Sequence, residues 1–174
     1  VSVALEALSH ESVNRGQEGL DKLEDMIDRL GRQENADLEK AITKYGDVSV
    51  DLNGADKTIA KLKAMATKGG QPDSVQAWLL VLRVDIIEDM SKAEDGNAAA
   101  AKAQIRTAFS ELKSFDKKVL APYVLAKIGD FLRNAEQSKQ AVPWFEEILT
   151  RGGIDSVDYA KNALAKIYLR GANQ

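Results

Sequence analysis

The sequence predicts an all-α chain organised as an α-solenoid, a stack of antiparallel helical hairpins, and three observations predict it. One helix is written twice, 122 residues apart: Gly19-Leu20-Asp21-Lys22-Leu23-Glu24-Asp25-Met26-Ile27-Asp28-Arg29 runs in register with Ala141-Val142-Pro143-Trp144-Phe145-Glu146-Glu147-Ile148-Leu149-Thr150-Arg151. Both open on a small residue, place a bulky apolar residue four positions later, follow it with two acids and two apolar residues, and close on Arg. Self-similarity of this kind marks stacked supersecondary units. Secondly, apolar residues recur at spacings of three and four, the helical period. Thirdly, the punctuation repeats: Lys68-Gly69-Gly70-Gln71-Pro72-Asp73-Ser74-Val75 matches Arg151-Gly152-Gly153-Ile154-Asp155-Ser156-Val157, less one residue.

Nine helices are expected, near residues 3–13, 17–30, 35–45, 54–68, 73–90, 97–115, 120–134, 137–151 and 155–170. Asn14-Arg15-Gly16 marks the first joint, and Leu20, Leu23, Ile27 and Leu30 form the stripe of the second helix. Only Asp47-Val48-Ser49-Val50-Asp51 alternates as a strand would. It is too short to pair, and with Asn53, Gly54 and Asp56 it reads as an Asx-rich connector. Ile59, Leu62, Met65 and Ala66 form the next stripe. Gly after a cationic last turn suits a helix end, and Asp73 and Asp155 suit the N-caps that follow. From Pro72 to Met90 the helix is apolar almost all round, which predicts burial between neighbours in the middle of the stack. Beyond the joint Asp95-Gly96-Asn97, Ile105, Ala108, Phe109, Leu112 and Phe115 give another stripe, and Asn134 marks a further turn. Short joints force successive helices to pack antiparallel.

At 174 residues, 44% hydrophobic and 29% charged, the chain can bury a sizeable core and is expected to form a single domain over 1–174. The longest apolar stretch, Val75 to Ile87, is interrupted by Gln76, Arg83 and Asp85, so no membrane span is expected. The absence of Cys excludes disulfides and thiol chemistry. Because the chain begins at Val1 without an initiator Met, it is expected to be a piece of a longer protein. A net charge of -3 argues against nucleic acid as a partner. Charge is also uneven: residues 1–60 hold 13 acids and 7 bases, residues 61–174 hold 14 acids and 17 bases.

Residues 121–170 resemble the tetratricopeptide repeat. Gly129, Ala141 and Phe145 keep that family's spacing of small, small and aromatic residues, with Leu125, Ile128 and Leu132 at its large apolar positions. Leu164, Ala165 and Tyr168 then stand in the leucine, small-residue and tyrosine places of a next first helix. A small residue at a crossing lets helix axes approach to ~8–10 Å. The match departs from the family at Leu125, Ile148 and Gly153, and Gly129 to Ala165 spans 36 residues where the family has 34. The resemblance implies a right-handed superhelix of degenerate repeats, with Gly129 and Ala141 facing each other across a tight crossing.

Nothing in the sequence carries a reaction. His10 is the only histidine, with no Cys or second His to share a metal. A calcium loop starting at Asp47 would need Gly sixth and Glu twelfth, where Leu52 and Thr58 stand. Phosphate-cradling loops, nucleophile elbows and zinc-protease motifs are missing. The chain is therefore expected to be no enzyme, with no catalytic residue, no metal and no cofactor.

The function expected is that of a protein–protein interaction scaffold. The resemblance implies a concave groove lined by first helices, here presenting Tyr123, Lys127, Asp130, Arg133 and Asn134 from one helix and Tyr159, Asn162, Lys166 and Arg170 from the next. Cations beside Tyr suit a protein or peptide partner with an acidic segment. The acidic face around Asp21, Glu24 and Asp28 is the second place where a partner could bind. The alternative is a self-associating structural subunit of a larger assembly, its acidic first third meeting its basic remainder. Where such arrays are frequent, the bacterial cell envelope, gives the compartment expected by resemblance, with the cytoplasm as the alternative.

Overall fold

The structure is a computed structural model that describes residues 16–31, 37–92, 97–112, 115–134, 137–151 and 154–171. They form eight α-helices and one short 3-10 turn, and among the described residues there is no strand. The chain is all-α. The helix expected at 3–13, and His10 with it, lies outside the described residues. Two compact units divide the chain, Val1–Ser110 and Glu111–Gln174.

The first unit holds α1 (Gln17–Gly31), α2 (Leu38–Asn53), α3 (Ala55–Ala66), α4 (Asp73–Lys92) and most of α5 (Ala98–Leu112). Its centre is α4, which packs against α3, α2 and α1. Val75, Ala77, Leu79, Leu80, Val81, Val84 and Ile87 of α4 are buried, as its all-round apolar surface predicts. One stripe is left less covered: Leu82 and Ile86 are half-buried and Met90 is exposed. Where α2 crosses α4, a Cβ on Gly46 would stand 2.7 Å from Leu82 Cδ2, so only glycine fits without a shift.

The segment read as an Asx-rich connector is instead the end of α2, which runs on to Asn53. Tyr45, Val48 and Ser49 recur at helical spacing and are all buried, and that core face outweighs the turn preference of the Asp residues around them. The break falls at Gly54, whose φ of 82° favours glycine. Across it, Ser49 Oγ and Thr58 Oγ1 lie 2.8 Å apart, and Thr58 donates to the Gly54 carbonyl at 2.9 Å. Ser49 is then the donor to Thr58. Asp73 is the first residue of α4 and Asp155 the second of α8 (Ile154–Gly171), so neither stands at the N-cap position expected of it. In the first turn of α4 the Asp73 carboxylate serves the helix dipole.

Two acids of α1 tie it to its own unit, while Asp21 and Asp25 are exposed. Glu24 pairs with Lys61 at 2.8 Å, and Asp28 accepts from Lys68 Nζ and Gln71 Nε2, each at 2.5 Å. Burial, helped by the charges of Glu24 and Asp21 and partly offset by the Ser49 hydroxyl, pushes the Tyr45 phenol up to about 12.

In the second unit a 3-10 turn (Lys117–Val119) leads into α6 (Pro122–Asn134), α7 (Ser138–Arg151) and α8. Pro122 opens α6, where a missing N–H costs nothing. α6 packs on α7, α7 on α8, and α6 also touches α8. The expected pairing of 121–134 with 137–151 is present, and the atoms nearest Gly129 at the crossing belong to Phe145. A Cβ on Gly129 would stand 2.7 Å from Phe145 Cζ and 2.9 Å from both Cε atoms, so Gly129 faces the Phe145 ring, with Ala141 buried one turn away. Arg151 then ties α7 to the turn: its guanidinium donates to the carbonyls of Lys118 (2.6 Å), Leu120 (2.8 Å) and Lys117 (3.0 Å). It also pairs with Glu147 at 2.8 Å, while Lys117 Nζ sits 4.8 Å over the Trp144 ring.

The two glycines should respond differently. Gly129→Leu should cost ~1–3 kcal/mol, because the fully buried Phe145 ring has nowhere to withdraw. Gly46→Ala should lie within ~0.5 kcal/mol of neutral, since half-buried Leu82 can yield and Ala favours the helix. Urea unfolding of both variants decides it, and equal losses would refute the assignment. Arg151→Ala should cost about 1–2 kcal/mol in the same assay, with Arg151→Lys recovering little, because one ammonium cannot span three carbonyls.

Candidate functional site

On the second unit α6 and α8 enclose a groove of about 330 Å³ lined by Pro122, Tyr123, Ala126, Lys127, Asp130, Ser156 and Tyr159. Helical spacing builds it. Val124, Leu125, Ile128 and Leu132 face the core, which leaves Tyr123, Ala126, Lys127 and Asp130 together on the opposite side of α6. On α8, Ala160, Ala163, Leu164 and Ile167 are buried, and Tyr159 lies at the edge beside that face.

Four of the residues expected from the sequence, Tyr123, Lys127, Asp130 and Tyr159, line one groove. Arg133 is a neighbour with a different task. It holds Asp130 at 2.8 Å, and the Tyr159 hydroxyl donates to the other Asp130 oxygen. Arg133 was expected to grip a partner; as placed, it neutralises Asp130 and helps fix α8 against α6. Asn162, Lys166 and Arg170 are exposed but do not line the groove. They continue up α8, with Arg170 eleven residues past Tyr159, or ~16 Å at 1.5 Å per residue. Asn134, also expected here, is exposed in the last turn of α6. Pro122, Ala126 and Ser156 also line it, and for two of them the sequence held a signal: Pro122 and Ala126 stand four residues before Ala126 and Asp130 on the same helix face.

The electrostatics follow from these contacts. Lys127 Nζ lies 5.7 Å from the Tyr123 ring centre, a cation–π distance. Partial burial first, and then the hydrogen bond and charge of Asp130, push the Tyr159 phenol up to about 12, with Arg133 and Lys127 pulling the other way. Tyr159 thus remains a neutral donor to Asp130 through the physiological range. Tyr123 and Tyr159 are 43% and 45% exposed, so flat apolar surface flanks the cation.

A second groove, of about 440 Å³, lies on the first unit between α2 and α4. Gly46, Val50, Ala55, Leu82, Ile86 and Met90 give it an apolar lining, and Asp47, Asp51 and Asp89 are its charged members. Among the described residues no cluster of three or more His, Cys, Asp or Glu could hold a metal ion, and no helix is long and apolar enough to cross a membrane.

No protein-family model, no curated protein and no solved structure matches the chain.

Two of the four tyrosines should titrate late in alkali. Tyr45 and Tyr159 should ionise near pH 12, read as absorbance of the phenolate. In Asp130→Asn the Tyr159 value should fall back toward 10, and no fall would contradict the Asp130 contact. The sign for stability follows from linkage. With a folded value above the unfolded 10, Tyr45 contributes fully below pH 10, and that contribution drains away as pH rises through 10 to 12.

Proposed function

We propose that this chain is a non-catalytic protein–protein interaction module whose second unit receives a protein or peptide segment in the groove between α6 and α8. The observation that carries the reading is the convergence of Tyr123, Lys127 and Tyr159 on one open groove. Two exposed aromatic rings beside a cation supply area and polar recognition together, the combination that dominates binding energy at many interfaces. Asp130 is engaged by Arg133 and Tyr159, and Lys127 is the cation that lines the groove beside the two rings, so an acidic segment is the complementary one.

The same reading places the helical hairpins in a tetratricopeptide-like α-solenoid. Its supports are the repeated helix at 19–29 and 141–151, the antiparallel pairing of α6 with α7, and the Gly129–Phe145 crossing. In such arrays first helices face the binding groove, and α6 and α8 are first helices in that register.

The test compares baits in a pull-down from native lysate and then uses direct titration of any acidic segment recovered. Lys127→Glu with Tyr159→Phe should weaken capture at least tenfold, and binding should weaken as salt rises and the Debye length shortens to ~8 Å. Tyr159→Phe keeps the ring and removes only the bond to Asp130, so the pair is milder than truncation. Equal recovery of the same partners by wild type and variant would show that the groove is not the site.

A further inference from the structure

The groove on the first unit has a lining that does not match its position at the surface. Leu82, Ile86 and Met90 recur every four residues along α4, so they form one continuous apolar line on an otherwise buried helix. Val50 and Ala55 extend that line across from α2 and α3, and Gly46 lets the helices come close enough to make the floor continuous. Asp47 and Asp51 stand one turn apart on α2, and Asp89 stands on α4. Asp89 is paired with Lys92 at 2.8 Å, but both side chains are at least 70% exposed, and so solvated a pair holds its carboxylate only weakly. The groove therefore offers apolar contact inside an acidic rim.

The complementary surface is on the same chain. The last two turns of α8 expose Lys166, Tyr168, Leu169 and Arg170, and among the described residues Tyr168 (57%) and Leu169 (67%) are the most exposed of the large apolar ones. At 100° per residue, Ala165 and Leu169 lie opposite the buried face of Ala163, Leu164 and Ile167, with Tyr168 on one flank and Lys166 and Arg170 on the other. This is a cationic, apolar helix end with the opposite charge pattern to the groove.

We infer that the acid-rimmed groove between α2 and α4 is a docking site for the α8 end of a second copy of this chain. Leu169 and Tyr168 enter against Leu82, Ile86 and Met90, and Lys166 and Arg170 meet Asp47, Asp51 and Asp89. The two surfaces differ, so the contact is heterologous: each copy contributes a groove to one neighbour and a helix end to another, and assembly either closes into a ring or continues. One small groove is well short of the ~1,000 Å² of a stable interface, so the association is of the transient, concentration-dependent kind. Its charged rim makes it salt-sensitive. The inference does not depend on the groove of the second unit, which lies at the other end of α8.

Sedimentation velocity of the full chain, over a hundredfold range of concentration and at low and high salt, tests it with two charge-reversed variants. One is Asp47→Lys with Asp89→Lys, the other Lys166→Glu with Arg170→Glu. All four side chains are exposed, and far-UV circular dichroism checks that both variants fold. Wild type should grow in weight-average mass with concentration, and less so at high salt. Each variant alone should remain a monomer, because groove and helix end then carry like charge. An equimolar mixture of the two should regain association, since each groove again finds an opposite partner. A wild type that stays monomeric throughout overturns the inference. So do variants that associate as wild type does, and a mixture that fails to regain mass.

Discussion

In each unit two helices approach more closely than a side chain at the crossing would permit. At Gly129 the obstacle to any Cβ is the edge of the buried Phe145 ring, with three of its atoms within 3.0 Å. The hydrogen in place of a side chain lets α6 and α7 close on that ring, and dispersion contacts then fill the gap that would otherwise be a void. Everything else in the second unit inherits this spacing. α8 packs on α7 and touches α6, so the distance between α6 and α7 sets how far apart the groove walls stand. Gly46 against Leu82 repeats the device in the first unit, with a softer obstacle.

Polar contacts fix what the crossing only positions. Asp130 takes one bond from Arg133 on its own helix and one from Tyr159 on α8, so a single carboxylate sets the register between the groove walls. Arg151 ties the last turn of α7 to the carbonyls of Lys117, Lys118 and Leu120, in and just after the 3-10 turn. On α1, Glu24 and Asp28 are spent on Lys61, Lys68 and Gln71 within the unit. Two of the three acids read from sequence as a candidate surface thus tie α1 to its unit, while Asp21 remains exposed, and the acids that line a groove are Asp47, Asp51 and Asp89.

What was legible in the sequence was the periodic part. The stripes at Leu20, Leu23, Ile27 and at Leu125, Ile128, Leu132 place α1 and α6 within a few residues, and the all-round apolar surface of α4 foretells its central position. The region from Asp47 to Asn53 was misread because Asp, Ser and Asn favour turns locally, whereas Val48 and Ser49 belong to a core face completed only by Thr58 across Gly54. The groove residues were half legible. Spacing brings Tyr123, Lys127 and Asp130 to one face, but no spacing rule says that Arg133 will turn back on Asp130, or that Lys166 and Arg170 lie beyond the groove. Those outcomes depend on where α8 crosses α6, a tertiary fact.

The account rests most on the fit between Gly129 and the Phe145 ring, and a double-mutant cycle measures that fit directly. Gly129→Ala, Phe145→Leu and the double variant would be compared by urea unfolding. Leucine withdraws the ring atoms that an alanine methyl would strike, so the double variant should be more stable than the sum of the single losses by at least ~1 kcal/mol. Simple additivity would mean that the two side chains do not limit each other's space, and would contradict the crossing on which the groove is built.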